Sequence, residues 1–309
     1  TEELYNVQLL NIKKKKILIF GGSGFLGSHV ADELSSQGHK VTIIDNKQSQ
    51  WVTSNQTFLQ ADITKPKTYE SILKKNEVVF NFAAISDIET ANEMPIKTVE
   101  TNVLSLVKLL DLCKKYKIQK FVQASTIYVS GDHGGFYKSS KLSAETYLKE
   151  YNRILGLRYC ILRYGTLYGP RSDLTNGLHV IIKKSLKKKK IIYSGSPDSM
   201  RDYIHVLDAA RISVKAIDKE FENKTIIISG PESYKITDIL KIISEITGIK
   251  KISFIKKDKT KLFSHYLRSP YSMEKTTDFS LKYSDNFNLD IGQGLSNLIQ
   301  EIKTQYRIK

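Results

Sequence analysis

Only two cysteines, Cys113 and Cys160, stand in the 309 residues. No disulfide framework and no metal-ligand spacing can be built from such a pair, so a metal-free chain in a reducing cytoplasm is the expectation. Prolines number six, too few for a proline-rich chain, and 40% hydrophobic residues mark a globular protein rather than a disordered one. No apolar run approaches the roughly 20 residues of a membrane-spanning helix. The opening TEELYNVQLLNIKKKK places its charges after its apolar residues and holds no small-residue cleavage site. Residues 1–15 are therefore expected to be an extension before the first strand and not a signal peptide. Acidic residues are in deficit, 32 against 48 Lys and Arg, for a formal net charge of +16. The lysines are spread along the chain, with short runs at Lys13–Lys16 and Lys187–Lys190 that no aromatics interleave. Nucleic acid is therefore not an expected partner. Two readings of the charge remain: a solvated lysine-rich surface, or a general attraction for anionic substrates such as nucleotide diphosphates.

What is present is alternation. Short apolar runs read as buried strands at KILIF (16–20), KVTIID (40–45), TFLQAD (57–62), EVVFNFAA (77–84), QKFVQAS (119–125), RYCILRY (158–164) and TIIIS (225–229). Helical patterns lie between them, clearest at 25–37, 98–116 and 137–155. This order predicts an α/β fold, a Rossmann-type doubly wound parallel sheet over residues 16–166. From about residue 167 the pattern loosens into a smaller C-terminal α/β substrate lobe, assigned to 167–200 and 230–309. It includes the run SHYLRSPYSMEKTTDFS (264–280). RDYIHVLDAARIS (201–213) reads as a return toward the first lobe, within a return segment near 201–229.

The first strand runs into Gly21-Gly22-Ser23-Gly24-Phe25-Leu26-Gly27. Glycines at 21, 24 and 27 suit a tight turn, a close backbone approach to a pyrophosphate, and close helix–strand packing. A helix opening at Phe25 and Leu26 offers free N–H groups and partial positive charge to that pyrophosphate. Asp45, 18 residues past Gly27 and followed by Asn46, ends the next strand where a ribose-binding acid is expected. A carboxylate there accepts both adenosine ribose hydroxyls and repels a 2′-phosphate, which favours NAD over NADP. Asp62, with Ile63 after it, reads either as an adenine contact or as a turn aspartate.

Tyr137 opens a Tyr-x-x-x-Lys step ending at Lys141, eleven residues after Thr126. Residues four apart share a helix face. The ammonium is expected to stabilise the phenolate and to draw the tyrosine pKa from about 10 toward neutrality. A tyrosine tuned in this way moves a proton at a sugar-like hydroxyl while a nicotinamide moves the hydride.

These residues resemble the extended short-chain dehydrogenase/reductase family, in its NAD-dependent sugar-nucleotide epimerase/dehydratase branch. The resemblance runs from about Lys16 to Ala210 through GGSGFLGSH (21–29), NFAA (81–84), TNV (101–103), AST (124–126), YKSSK (137–141), LRYGTLYGP (162–170) and RDYIHVLDAA (201–210). It implies Tyr137 as acid/base, Lys141 as its partner and nicotinamide-ribose contact, and Thr126 on the hydroxyl that is oxidised. It places Ala83, Ala84 and Asn102 at the cofactor crevice. On the substrate it places Ser86, Thr166 (where the family often has Asn) and Arg201, with Arg171 and Asn176 reaching toward the nucleotide. His205 is expected to be structural.

Two departures bear on function. The Thr126–Tyr137 connection, STIYVSGDHGGFY, is shorter than the family's loop. Ile127-Tyr128 also replaces the Asp-Glu that 4,6-dehydratases place there, so dehydration lacks its second proton-transfer group. The resemblance therefore implies an NAD-dependent 4-epimerase of a nucleotide-diphosphate sugar, UDP-sugar foremost. The alternatives are an NAD(P)H-dependent 4-keto sugar-nucleotide reductase, a 4,6-dehydratase, or a non-catalytic dinucleotide-binding sensor. It further implies a homodimer through helices 98–116 and 137–155.

Overall fold

A computed structural model describes residues 13–255, 280–283 and 289–308. The first strands are β1 (Lys16–Phe20), β2 (Lys40–Asp45), β3 (Gln56–Gln60), β4 (Val78–Asn81), β5 (Lys120–Thr126) and β6 (Tyr159–Tyr164). They hydrogen-bond in the order 3-2-1-4-5-6. The sheet continues through Lys224–Ile228 to Ser280–Lys282, eight strands in all. Every pairing in this sheet is parallel, with registers such as Ile17↔Val41, Ile17↔Val78 and Phe121↔Tyr159.

The strand sequences explain the arrangement. All seven residues of β5 and all six of β6 are buried, as strands covered on both faces require. One face packs Ile17, Ile19, Val30, Leu34, Phe80 and Ile228 into a core with the helices Phe25–Ser36 and Val206–Val214. The opposite face packs Leu18, Phe20, Val79, Leu109 and Leu148 with the helices Ser105–Lys115 and Gly135–Leu155. A separate core gathers Ile182, Leu240 and Leu298 from the helices Gly177–Lys188, Ile236–Thr247 and Ile291–Tyr306 with Tyr168 and Tyr193 from the short strands Thr166–Tyr168 and Ile191–Ser194.

Chain order reverses on either side of β1, whose neighbours are β2 and β4. A crevice opens at the carboxyl ends of strands at such a reversal. Residues 201–213 do two things there. Tyr203–His205 pairs in parallel with Thr166–Tyr168, and the helix after it buries Val206, Ala209, Ala210 and Val214 in the first core.

Several elements differ from the sequence pattern. β3 stops at Gln60, so Ala61 and Asp62 lie beyond the strand. The helix expected over 98–116 starts at Pro95 and passes through a π-helical turn, Glu100–Leu104, before Ser105–Lys115. The strand Ser280–Lys282 extends the main sheet from a run assigned to the second lobe, because Leu281 pairs with Ile226. The rest of that run, 264–279, lies outside the described residues, as do residues 1–12.

Candidate active site

At the crevice the chain turns from β1 into the Phe25–Ser36 helix through a hydrogen-bonded glycine turn, Gly24 N–H to Gly21 O at 3.1 Å. Gly21 has φ +76, and a Cβ on it would lie 2.6 Å from Ala83 N. A Cβ on Gly27 would lie 2.2 Å from Gly21 O. No side chain therefore fits at Gly21 or Gly27, and the helix N-terminus stays open to an anion. Ser23 Oγ is buried there without a hydrogen-bond partner. Ser23 N–H donates to Asp45 Oδ2 at 3.1 Å, which fixes the carboxylate at the end of β2. Desolvation raises the pKa of Asp45 against the backbone hydrogen bonds from Ser23, Lys47 and Asn46. Asp62 is held by Thr64, whose N–H (2.9 Å) and hydroxyl (2.8 Å) both donate to Oδ1. Its pKa is lowered, those bonds and the charges of Lys65 and Lys97 outweighing desolvation. An open helix end, an orphaned hydroxyl and an oriented carboxylate fit a dinucleotide.

The cleft has a volume of ≈ 680 Å³ and runs from this turn along the carboxyl ends of β4, β5 and β6. Gly21, Gly24, Phe25, Leu26, Gly27, Asp45, Asn46, Asp62, Ile63, Ala83 and Ala84 line it, as do Ser86, Thr126, Tyr137, Lys141, Thr166 and Asn176.

Thr126 is the last residue of β5, and Tyr137 and Lys141 lie on successive turns of the Gly135–Leu155 helix packed behind that strand. The threonine side chain hydrogen-bonds to the Tyr137 phenol, so the two hydroxyls converge. Lys141 is 4% exposed. Its Nζ donates to Ala124 O at 3.0 Å and lies 5.8 Å from the Tyr137 ring centroid. The expected tuning is not reached by these groups alone. Burial pushes the Tyr137 phenol above its usual range, against the Thr126 hydrogen bond. Burial also lowers Lys141 to about 8, opposed by Glu145. The lysine is spent on a carbonyl and the phenol on a threonine, in a pocket that disfavours charge on either.

A network beneath these residues escaped the motif reading. Glu145, one turn past Lys141, takes a forked pair from Arg163 on β6, Nε to Oε1 at 3.0 Å and NH2 to Oε2 at 2.7 Å. It also accepts the Ser125 hydroxyl at 2.5 Å. Arg163 and Glu145 are 4% and 1% exposed. The signal was present: an arginine inside the apolar strand YCILRY, and an acid four residues after the lysine.

Asn102, Arg171 and Arg201 lie outside this lining. Asn102 is away from the cleft lining. Its Oδ1 accepts Ile85 N–H at 2.8 Å, and its Nδ2 donates to Ile85 O (3.0 Å) and Ser140 Oγ (2.9 Å). These bonds brace the cleft wall at Ile85 against the Tyr137 helix. Arg171 reaches the Phe25–Ser36 helix, with NH2 2.6 Å from Asp32 Oδ2 and the guanidinium over the Trp51 ring at 4.7 Å. It bridges the Phe25–Ser36 and Ile291–Tyr306 helices, since its N–H also donates to Glu301 Oε1. Arg201 is buried outside the lining and donates to Met200 O and, at 3.2 Å, to Tyr193 Oη. Asn176 caps the Gly177–Lys188 helix through His179 N–H, and His205 caps Val206–Val214 through Leu207 N–H. Of the pair after Thr126, Ile127 packs against Ile227 while Tyr128 faces the cleft.

Comparison with known proteins agrees with this architecture. The family model of the NAD dependent epimerase/dehydratase family matches residues 17–229. A putative UDP-glucose 4-epimerase of Methanocaldococcus jannaschii is 32% identical, over 76% of this chain and 83% of its own. A UDP-N-acetyl-alpha-D-glucosaminuronate decarboxylase of Bacillus cytotoxicus is 30% identical, over 76% and 81%. The crystal structure of a UDP-glucose 4-epimerase from Thermotoga maritima, with UDP-glucose, superposes with a TM-score of 0.81 at 26% identity, covering 94% of this chain and 99% of that one.

Proposed function

The chain belongs to the NAD-dependent epimerase/dehydratase family, and we propose that within it the protein is a UDP-sugar 4-epimerase. Its cofactor is NAD, held by the Gly21–Gly27 turn, Asp45 and the Ala83–Ala84 wall. When bound, NAD supplies reversible hydride acceptance. Thr126 orients the sugar 4-hydroxyl, and Tyr137 takes its proton as the 4-keto sugar forms and returns it after the sugar has turned over. Lys141, when protonated, favours the phenolate that this exchange requires. Ser86, Thr166 and Asn176 offer polar contacts to the nucleotide sugar from the cleft walls.

The observation that carries this reading is where the carboxylates are. Among the described residues, Asp45 and Asp62 are the only acids lining the cleft. Asp45 ends β2, three strands from β5 and hence on the order of 14 Å from Thr126. Position 128 presents a phenol and position 127 a buried isoleucine. Elimination or decarboxylation aided by a carboxyl group therefore finds no such group lining the cleft beside Tyr137 among the described residues, whereas epimerisation needs only the threonine, tyrosine and lysine. No helix among the described residues is long and apolar enough to cross a membrane. The buried free thiols Cys113 and Cys160 suit the reducing cytoplasm in which we place the reaction.

The test starts with the purified protein. Denaturation is expected to release NAD at close to one per chain, and the native protein to interconvert a 4-epimeric pair of UDP-sugars without net redox. An empty protein that oxidises a reduced nicotinamide only with a 4-keto sugar nucleotide would make it a reductase. Release of carbon dioxide from a UDP-uronate would make it a decarboxylase.

A further inference from the structure

The short connection from Thr126 to Tyr137 leaves the catalytic helix with an unusual beginning. Gly135 opens the helix only two residues before Tyr137. The cap residue, Gly134, has φ +106 and offers no side-chain hydrogen bond, and Gly135 has φ +53. The first N–H groups of a helix have no acceptor within it. One of them, Phe136 N–H, donates to Asn92 Oδ1 at 2.9 Å, across 44 residues of chain. A Cβ on Gly135 would lie 2.2 Å from that oxygen. The carboxamide thus occupies the space that the glycine leaves.

Asn92 is itself rooted in the cleft wall. Its helix, Ile88–Glu93, is capped by Asp87, which accepts Thr90 N–H at 2.8 Å. Ile85, Ser86 and Ile88 around that cap line the cleft. Asn102 grips Ile85 and reaches Ser140. Two asparagines therefore tie one stretch of cleft wall to the catalytic helix on both sides of Tyr137, at Phe136 and at Ser140.

We propose that Asn92 is a positioning residue for Tyr137, an external cap that does for this short-looped chain what the loop and helix start do not do themselves. The proposal rests on the reading of Tyr137 as the acid/base. Phe136 precedes Tyr137 directly, so the Asn92 bond sets the height and rotation of the first turn and hence where the phenol meets Thr126. Without it the turn frays, and the phenol is displaced rather than removed.

The experiment compares Asn92→Asp, which keeps the acceptor oxygen, with Asn92→Leu, which keeps the volume and loses it. Asn92→Ser, with its shorter hydroxyl, serves if the leucine variant does not fold. Each is purified with its cofactor. Two quantities are read: kcat and KM on a UDP-sugar that the wild type turns over, and the ultraviolet titration of the Tyr137 phenolate, taken as the difference from Tyr137→Phe in the same background. The leucine variant is expected to lose about tenfold or more in kcat with KM within about twofold, because a reacting group is misplaced and not lost. Its phenolate titration is expected to move, and aspartate is expected to restore both. A wild-type kcat with an unmoved titration, or equal losses in the leucine and aspartate variants, overturns the proposal. If the wild type turns over no UDP-sugar, the epimerase reading fails, while the titration, which needs no substrate, still judges Asn92.

Discussion

At Tyr137 and Lys141 the surroundings oppose the charges that the chemistry uses. Lys141 titrates near 8 in the fold against 10.5 ordinarily, chiefly through desolvation. The unfolded chain therefore binds more protons between these values, and stability rises with pH across that window. At pH 7 the whole penalty stands, about 3 kcal/mol for a shift of this size. Lys141→Met is therefore expected to abolish epimerisation and to raise the thermal midpoint at pH 7, with the gain fading by pH 10.5. Thermal denaturation at the two pH values, with cofactor content matched, checks this. A midpoint lowered at pH 7 would mean that the hydrogen bond to Ala124 outweighs the cost of the buried charge.

Between elements, two buried polar contacts hold the cleft together. The Arg163–Glu145 fork joins β6 to the catalytic helix, with Ser125 of β5 as third member. Removing one partner of a buried pair leaves the other uncompensated, at a cost of about 3–5 kcal/mol. Glu145→Gln is expected to lose that much in denaturant unfolding, and a loss below about 1 kcal/mol, the range of exposed pairs, would contradict it. The second contact joins the glycine-turn helix to the loop after Thr166–Tyr168, through His29 Nε2 and Pro170 O at 3.0 Å. Burial lowers His29 to about 4 from 6.5, against the pull of that hydrogen bond. The unfolded chain then takes up the extra proton between pH 6.5 and 4, so the fold loses up to about 3 kcal/mol as pH falls across that window. His29→Gln keeps a donor and does not titrate. It is expected to match the wild type at pH 7.5 and to lose stability less steeply on acidification, as urea midpoints across the window would show. Parallel acid limbs would assign the loss to other groups.

At the scale of the whole molecule, one apolar surface stands uncovered among the described residues. Val99, Leu104, Leu142 and Tyr147 are 53%, 47%, 42% and 48% exposed. They lie on the Pro95–Lys115 stretch and on the catalytic helix, the two segments expected to pair in a homodimer. Apolar surface of this kind gains roughly 25 cal/mol per Å² when covered. Light scattering is expected to give twice the mass of the 35.2 kDa chain, and the double variant Leu104→Glu, Tyr147→Glu a single chain. A monomeric wild type at micromolar concentration would sink the dimer. Because Tyr137 lies on one of these helices, dimerisation would also brace it.

The sequence by itself determined the parallel sheet, the glycine turn with Asp45, and the pairing of Tyr137 with Lys141. These depend on local features: strand periodicity, the steric freedom of glycine, and the four-residue repeat of a helix face. Tertiary structure alone decided which side chains face the cleft. Arg171 and Arg201 carry the right charge for a diphosphate, yet Asp32, Trp51, Tyr193 and Met200 hold them elsewhere. The bonds of Asn102 to Ile85 and Ser140 were likewise set by the fold. Asn92 and Glu145 gained importance from partners 44 and 18 residues away, a distance no local pattern spans. The direction of the pKa shifts at Tyr137 and Lys141 was also decided by the fold, because desolvation depends on everything packed around a group and not on the residue four positions along its helix.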